Sequence, residues 1–306
     1  MNFERRLAKI MRMNEAMEGF LLSRKLSGLS DKTIKCYMEF LKPFAAYLGN
    51  VELAPSRVRG YLVKVMERNV SPATKATYIR HLKIFLKWVE NEEGVDLGTE
   101  KIKVPKTPKK LVYVYTDADI QEIFRNITAE SEWLVARNRA MVSLMLDSGL
   151  RQSEVCSLKW QDYFVSKWVM KVIGKGSKER LVPVGKISRQ FIQAYRNLCP
   201  YSSDRVFVGR WGERLTSNAV KLFVNRLAAK LPFQLSSHKL RHNFATNYCV
   251  DQYERNGQID IYQLAVIMGH EEIKTTLRYV HLARQIIASR VKVSHLDMVF
   301  TSIGEI

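Results

Sequence analysis

The sequence predicts a mainly α protein: an N-terminal all-α helical bundle, then a C-terminal α+β domain with a small antiparallel sheet. Three observations carry this expectation. Apolar residues recur at three- and four-residue steps through the first hundred positions. A stretch rich in proline and lysine, EKIKVPKTPKKL, interrupts them at Glu100–Leu111. Beyond it a glycine-turned hairpin, WVMKVIGKGSKERLVPVG, stands among further helical patterns. A chain of 306 residues fits two domains, since one domain usually takes about 100–200 residues. The expected division is 1–99, a linker at 100–113, and 114–306.

The elements follow in order. Met17, Phe20 and Leu21 mark a first helix from Asn14 to Leu26. Ser30 is a good N-cap for the second, whose stripe is Ile34, Tyr37, Phe40, Leu41, Phe44 and Leu48, and Gly49-Asn50 ends it. A third starts near Pro55-Ser56 with Val58, Tyr61, Leu62 and Val65. Ser71-Pro72, a cap followed by proline at the first helical position, opens a fourth with Tyr78, Leu82, Phe85, Leu86 and Val89 inward. The two prolines of the linker exclude helix there. In the second half Thr116 with Asp119 opens a helix, and another runs from Glu132 to Asp147, ending at Gly149. Val169–Ile173 and Arg180–Val184 form the hairpin strands. Helices are then expected at Ser217–Ala229, His238–Val250, Ile261–Met268 and Lys274–Ile287.

Forty-nine Lys and Arg against thirty Asp and Glu leave a formal charge of +19. That excess must face water or an anionic partner, because unpaired buried charge is too costly. Basic residues recur along the whole chain, which favours an extended partner such as duplex DNA over a membrane patch. Lys32, Lys35, Lys75, Arg80, Lys83 and Lys87 lie between the apolar stripes, Lys103, Lys106 and Lys109 in the linker, and Lys178 in the hairpin. They are candidate DNA contacts, and a solvated polar face accounts for them equally. Cys36, Cys156, Cys199 and Cys249 form no CxxC pair, so neither a zinc site nor a disulfide framework is expected. Charges break every apolar run of the N-terminal stretch, and no stretch approaches the roughly 18 apolar residues of a membrane span. A cytoplasmic protein is expected.

Three segments could carry chemistry. In Gly149-Leu150-Arg151-Gln152-Ser153-Glu154 an arginine opens a helix whose dipole prefers anions, an arrangement suited to holding a phosphate, with Glu154 one turn on to fix the guanidinium. Taken alone, it also reads as a surface Arg–Glu pair. In Ser237-His238-Lys239-Leu240-Arg241-His242 the spacing of His238 and Arg241 puts both on one helix face. That is a cationic pair for an anion, or simply a solvated face. In the third, Gly269 stops a helix, His270 lies at the junction, and Tyr279 falls nine residues later, where a tyrosine is usually packing.

Together, in this order, Arg151, His238 with Arg241, His270 and Tyr279 resemble the tyrosine recombinase family, especially its Xer-like and integrase-like members. The hairpin GKGSKERLVPV resembles the family's sheet segment, whose turn lysine corresponds to Lys175, and LSDKTIKCYMEFLKPFAAYL resembles its core-binding domain. One departure is VDQYERNGQIDIYQ, longer than expected for Xer-like members, where an enlarged surface loop is expected.

The chemistry suits these residue types. In-line attack on a phosphodiester builds negative charge that arginines and histidines can stabilise. A phenol with a pKa near 10 is only about 0.1% ionised at neutral pH, so it needs a base or a strongly positive site. No acidic cluster suited to Mg²⁺ is evident, so no metal or cofactor is expected; the resemblance implies a covalent link that conserves bond energy, so no ATP is expected either. The resemblance implies that Tyr279 forms a 3′-phosphotyrosyl link while Arg151 and Arg241 clamp the non-bridging oxygens. Lys175, or alternatively Lys178, protonates the leaving 5′ oxygen, His238 assists proton transfer and His270 gives a hydrogen bond. It further implies inverted-repeat half-sites, a Holliday junction, and a homo-oligomer, a tetramer on synapsed DNA. A tail carrying Ile286, Ile287, Val291, Leu296, Met298, Val299 and Phe300 would dock on a neighbour or fold back on its own domain. The expected role is recombination as in chromosome dimer resolution. A mobile-element integrase, a non-catalytic DNA-binding module and a type IB topoisomerase are the competing readings.

Overall fold

The computed structural model describes residues 13–49, 51, 53–107, 113–290 and 297–298, without the side chain of Lys175. The chain divides into two compact units, Met1–Leu111 and Val112–Ile306.

The first unit is built from α1 (Met13–Leu26), α2 (Asp31–Leu48), α3 (Pro55–Glu67) and α4 (Pro72–Glu93). The expected caps set its boundaries: Ser30 accepts from the Thr33 amide and Ser71 from the Thr74 amide, each satisfying one open helix donor. The inner faces of the helices meet around Phe20, Leu41, Phe44, Tyr61, Phe85 and Leu86, all nearly or fully buried. Each such side chain contributes roughly 2 kcal/mol relative to exposure. Of the expected α2 stripe, Leu41, Phe44 and Leu48 are buried, whereas Ile34, Tyr37 and Phe40 are only half-buried. The linker does not begin as a free strand. Thr99–Lys101 forms a 3₁₀ turn held to α4 by Glu90, which accepts from the amides of Leu97 and Thr99 and from the Thr99 hydroxyl. Ile102 is buried in the same core. Proline cannot oppose this turn, because Pro105 lies beyond it.

The second unit contains α5 (Asp117–Arg125), α6 (Glu132–Asp147), α7 (Gln152–Ser157), β1 (Tyr163–Phe164), β2 (Val169–Ile173) and β3 (Glu179–Pro183). It continues through α8 (Lys186–Leu198), α9 (Ser217–Ala228), α10 (Ser237–Asn256), α11 (Ile261–Met268) and α12 (Ile273–Ser289). The sheet is antiparallel in the order β1-β2-β3, with Met170 opposite Val182 and Val172 opposite Arg180. Helix α6 is the centre of this unit: it packs on α7, α8 and α10, and its Met141, Leu144 and Met145 are buried. Thr116 and Asp119 form the expected reciprocal capping box at α5.

Two elements went beyond the sequence expectation. Helix α8 was not anticipated, although its amphipathic spacing buries Ser188, Ile192 and Tyr195 on one side. The segment expected to enlarge a loop instead extends α10 to Asn256, where Gly257 in the left-handed conformation caps the helix. Gln252 then accepts from the Asp260 amide, and Asp260 caps α11 by accepting from Gln263. No helix among the described residues is long and apolar enough to cross a membrane.

Candidate active site

The site is assembled from the N-terminus of α7, the edge of β3, the buried side of α10, the α11–α12 junction and the first turns of α12. Its keystone is Glu154, only 2% exposed. The carboxylate accepts from the backbone amide of Arg151 and from its Nη1, each at 2.8 Å. Arg180 of β3 donates to both carboxylate oxygens, again at 2.8 Å. Arg241 Nη1 lies 3.9 Å away. Burial by itself would raise this carboxyl, but the hydrogen bonds and charge of Arg180, helped by Arg151, bring it down to about 2.

Arg241 is nearly fully buried. Its guanidinium is fixed by backbone oxygens: Nη1 donates to the carbonyl of Gly149 and Nη2 to that of Met268. Gly149, itself left-handed, follows the Ser148 C-cap of α6, and Met268 ends α11 ahead of the left-handed Gly269. A side chain at Gly149 would meet the Phe244 ring at 2.4 Å, so this turn needs glycine for space as well as for its φ of 62°. Burial, then Arg151 and Arg180, pull the Arg241 guanidinium down to about 10, still charged at neutral pH. Arg151 Nη2 donates to the Gly269 carbonyl at 3.1 Å, tying the first motif to the third.

His270 Nδ1 lies 2.8 Å from Oγ1 of the buried Thr276, and its Nε2 is 3.5 Å from Arg241 Nη2. Burial and the guanidiniums of Arg241, Arg151 and Arg180 lower its pKa to about 4. Tyr279 is only 3% exposed, its ring lies nearly parallel to that of His270 at 6.2 Å, and Arg278 sits over it at 5.6 Å. Its phenol is raised by burial, an effect opposed by Arg278, Arg241 and Arg151.

His238 and Arg241 were expected on one solvent-facing or anion-facing side. Arg241 is buried and His238 exposed, yet the two remain neighbours: burial, and then the guanidiniums of Arg241, Arg278 and Arg151, lower the His238 pKa. The exposures differ because α10 is packed over α6 and α12, so a three-residue step carries the side chain from rim to interior. The residue that touches the phenol is His242, whose Nδ1 is 2.6 Å from Tyr279 Oη. His238 packs edge-to-face on the His242 ring at 4.1 Å. Sequence reasoning gave no role to His242 or Arg180. A signal existed for each: His242 is one turn beyond His238, and Arg180 shares strand parity with the buried Val182.

Lys175 lies in the 3₁₀ turn Lys175–Ser177 between β2 and β3, and its side chain is outside the described residues. Lys178 donates to Glu271 at 2.6 Å, next to His270. In the first unit Lys32, Lys35, Arg80, Lys103 and Lys106 make no hydrogen bond or ion pair among the described residues, and all five are exposed. Lys83 donates to the Ile102 carbonyl, Lys75 to that of Met66, and Lys87 pairs with Glu100, so these three are already engaged. Lys109 lies outside the described residues. Of the tail, Ile286 and Ile287 pack on the domain's own core and Met298 is exposed, while Val291, Leu296, Val299 and Phe300 are outside the described residues.

A cluster of guanidiniums thus lies near a buried phenol, in a mainly helical unit that follows an all-helical one. The phage integrase family model matches residues 114–285, and that of the phage integrase N-terminal SAM-like domain matches residues 17–96. The chain belongs to the phage integrase family. It is 29% identical over 275 residues to the tyrosine recombinase XerC of Corynebacterium efficiens, covering 88% of this chain and 86% of that one. With XerC of Xanthomonas campestris pv. campestris it shares 30% over 249 residues, 80% of this chain and 74% of that one. Among solved structures, the Tn1549 transposon integrase in complex with a circular intermediate DNA has a TM-score of 0.72 at 18% identity, over 91% of this chain and 99% of that one. XerH bound to its palindromic difH substrate has a TM-score of 0.67 at 21% identity, over 91% and 84%. Both share this fold.

Proposed function

We infer that the protein is a site-specific tyrosine recombinase, which cuts duplex DNA by attack of Tyr279, holds the 3′ phosphate covalently, and rejoins it to a new 5′ end. One observation carries the reading: three guanidiniums, of Arg151, Arg180 and Arg241, gather on the single carboxylate of Glu154, and the charges of Arg241 and Arg151 act on the Tyr279 phenol. Three positive charges against one leave an excess of two, which a packed core has no use for and a phosphate in transition would neutralise.

In this reading Arg151 and Arg241 hold the non-bridging oxygens, and Arg180 acts through Glu154 to position Arg151. His270 adds a hydrogen bond. Lys175 supplies the proton to the leaving 5′ oxygen, with Lys178 as the alternative once its bond to Glu271 opens. Charge neutralisation by side chains makes the reaction independent of metal, and the covalent link conserves bond energy, so religation needs no ATP. Lys32, Lys35 and Arg80 of the first unit, with Lys103 and Lys106 of the linker, track the DNA backbone. Lys109 belongs with them by its place in the linker. The first unit, 1–99, thus serves as a core-binding domain, 100–113 as a basic strap and 114–306 as the catalytic domain. The working form is a homo-oligomer, a tetramer on two synapsed duplexes with inverted-repeat half-sites, resolving a Holliday junction in the cytoplasm, as in chromosome dimer resolution. The curated relatives named XerC favour that role.

The test begins with the DNA site, recovered by binding selection from a random duplex library and mapped by footprinting. A nicked suicide duplex carrying that site is expected to trap the protein as a covalent complex on a denaturing gel. Tyr279→Phe is expected to bind the same duplex and give no complex. Trapping by the Phe variant would remove Tyr279 as the nucleophile.

A further inference from the structure

The phenolic hydroxyl of Tyr279 is buried, and a buried donor requires an acceptor. Among the described residues its hydrogen-bond partner is His242 Nδ1, at 2.6 Å. Were Nδ1 protonated it would donate to the phenol oxygen and leave the phenolic hydrogen without an acceptor. The satisfied arrangement therefore has Tyr279 donating to an unprotonated Nδ1, with the ring proton on Nε2. His242 is itself 8% exposed and sits between the His238 ring and the Tyr279 ring, so its orientation is fixed by packing.

We propose that His242, rather than His238, is the group that takes the phenolic proton when Tyr279 attacks DNA. This deepens the recombinase reading above and rests on it. The proton passes from Tyr279 Oη to His242 Nδ1, the bond between Tyr279 Oη and phosphorus forms, and the bond from phosphorus to the 5′ oxygen breaks. That oxygen takes its proton from the hairpin lysine, and religation reverses each transfer.

The surroundings of His242 couple this step to DNA. It is faced by His238 and Arg241 from its own helix, by Arg278 and Tyr279 from α12, and by His270 from the α11–α12 junction. Burial, and then His238, Arg278, Arg241 and His270, bring its pKa down to about 3 in the free protein. In that state it accepts the hydrogen bond and leaves the phenol protonated, so the nucleophile rests. A DNA phosphate seated on Arg241 and His270 brings negative charge to two of the groups that depress it, and basicity returns as the substrate arrives.

The discriminating variant is His242→Asn in the full chain, since the amide oxygen can stand where Nδ1 stands and accept the phenol but cannot take its proton. Single-turnover cleavage of the nicked suicide duplex is expected to slow about 100-fold, the lower range for loss of a general base, with DNA affinity unchanged. The acidic limb of the wild-type pH–rate profile is expected to vanish in the variant and to persist in His238→Asn. A duplex with sulfur at the bridging 5′ position, whose leaving group needs no proton, is expected to rescue Lys175→Ala and not His242→Asn. Cleavage by His242→Asn within threefold of wild type, with the acidic limb intact, would overturn the proposal. So would rescue by the sulfur duplex, which would make His242 part of the acid step.

One measurement does not depend on the variant folding. In ¹⁵N-labelled wild-type protein the Nδ1 resonance of His242 should report an unprotonated nitrogen and shift in Tyr279→Phe. A protonated Nδ1 would overturn the proposal outright. If wild type itself forms no covalent complex, the recombinase reading fails, and the nitrogen signal still reports on the contact separately.

Discussion

The two units handle polarity in opposite ways. Eleven polar or charged residues are buried among the described residues, and of these only Thr99 lies in the first unit. That unit keeps its cations at the surface, where Lys32, Lys35 and Arg80 stand exposed and make no ion pair among the described residues. The second unit buries Glu154, Arg241, His242 and Thr276 in the site that holds Tyr279, with Asn243 and Thr246 also buried on α10. Exposed charges act through screened, long-range attraction and tolerate imprecise placement. Buried charges are costly unless every one is paired or bonded, and in return they are held in fixed positions. The first arrangement suits gripping a polymer; the second suits stabilising one transition state.

The largest effect that would sharpen this contrast is expected from Glu154→Gln. It strips the carboxylate from Arg151 and Arg180 together, and breaking a buried pair by removing one partner costs about 3–5 kcal/mol. Denaturant melts should show that loss in the second unit, with covalent complex formation falling to background. The same carboxyl predicts a pH dependence. Its folded pKa, about 2, is depressed from the ordinary 4.5, so its stabilisation is present above about 4.5 and is lost as pH falls towards 2. A depression of that size is worth about 3 kcal/mol, and Glu154→Gln should flatten the acid limb of the stability curve. An unchanged acid limb would mean that Glu154 is not the keystone.

A smaller loss is expected from Gly149→Ala. Positive φ and the close approach of Phe244 both oppose a side chain there, and local strain of this kind costs about 1–3 kcal/mol. Because the Gly149 carbonyl anchors Arg241, cleavage should fall by more than DNA binding does. Equal losses would place the effect on folding alone.

The smallest effects belong to the first unit. Lys35→Ala or Arg80→Ala should reduce the slope of log affinity against log salt by about 0.9 for each phosphate contact removed, with the cleavage rate at saturating protein unchanged. If either variant instead slowed cleavage and left the slope alone, the division between gripping and catalytic units would break.

Much of the fold was legible because its signals are local. Ser30, Ser71 and the Thr116–Asp119 box cap helices within three residues of themselves, and the hairpin strands alternate along their own length. The extension of α10 was not legible, since VDQYERNG holds polar residues that fit a loop as well as a solvated helix end. Its end is marked by the left-handed Gly257, and Gln252 ties it to Asp260 at the start of α11.

For the site, the sequence by itself determined which residue types are present and in what order: Arg151, His238 with Arg241, His270 and Tyr279, and a surplus of positive charge for DNA. Only the tertiary structure decided that Arg241 is buried and His238 exposed, that Arg180 joins Arg151 on Glu154, and that His242 meets the phenol. The physical reason is distance along the chain. Arg180 is 26 residues from Glu154, and His242 is 37 from Tyr279. Pairings of that separation are set by how helices pack, which no local pattern encodes.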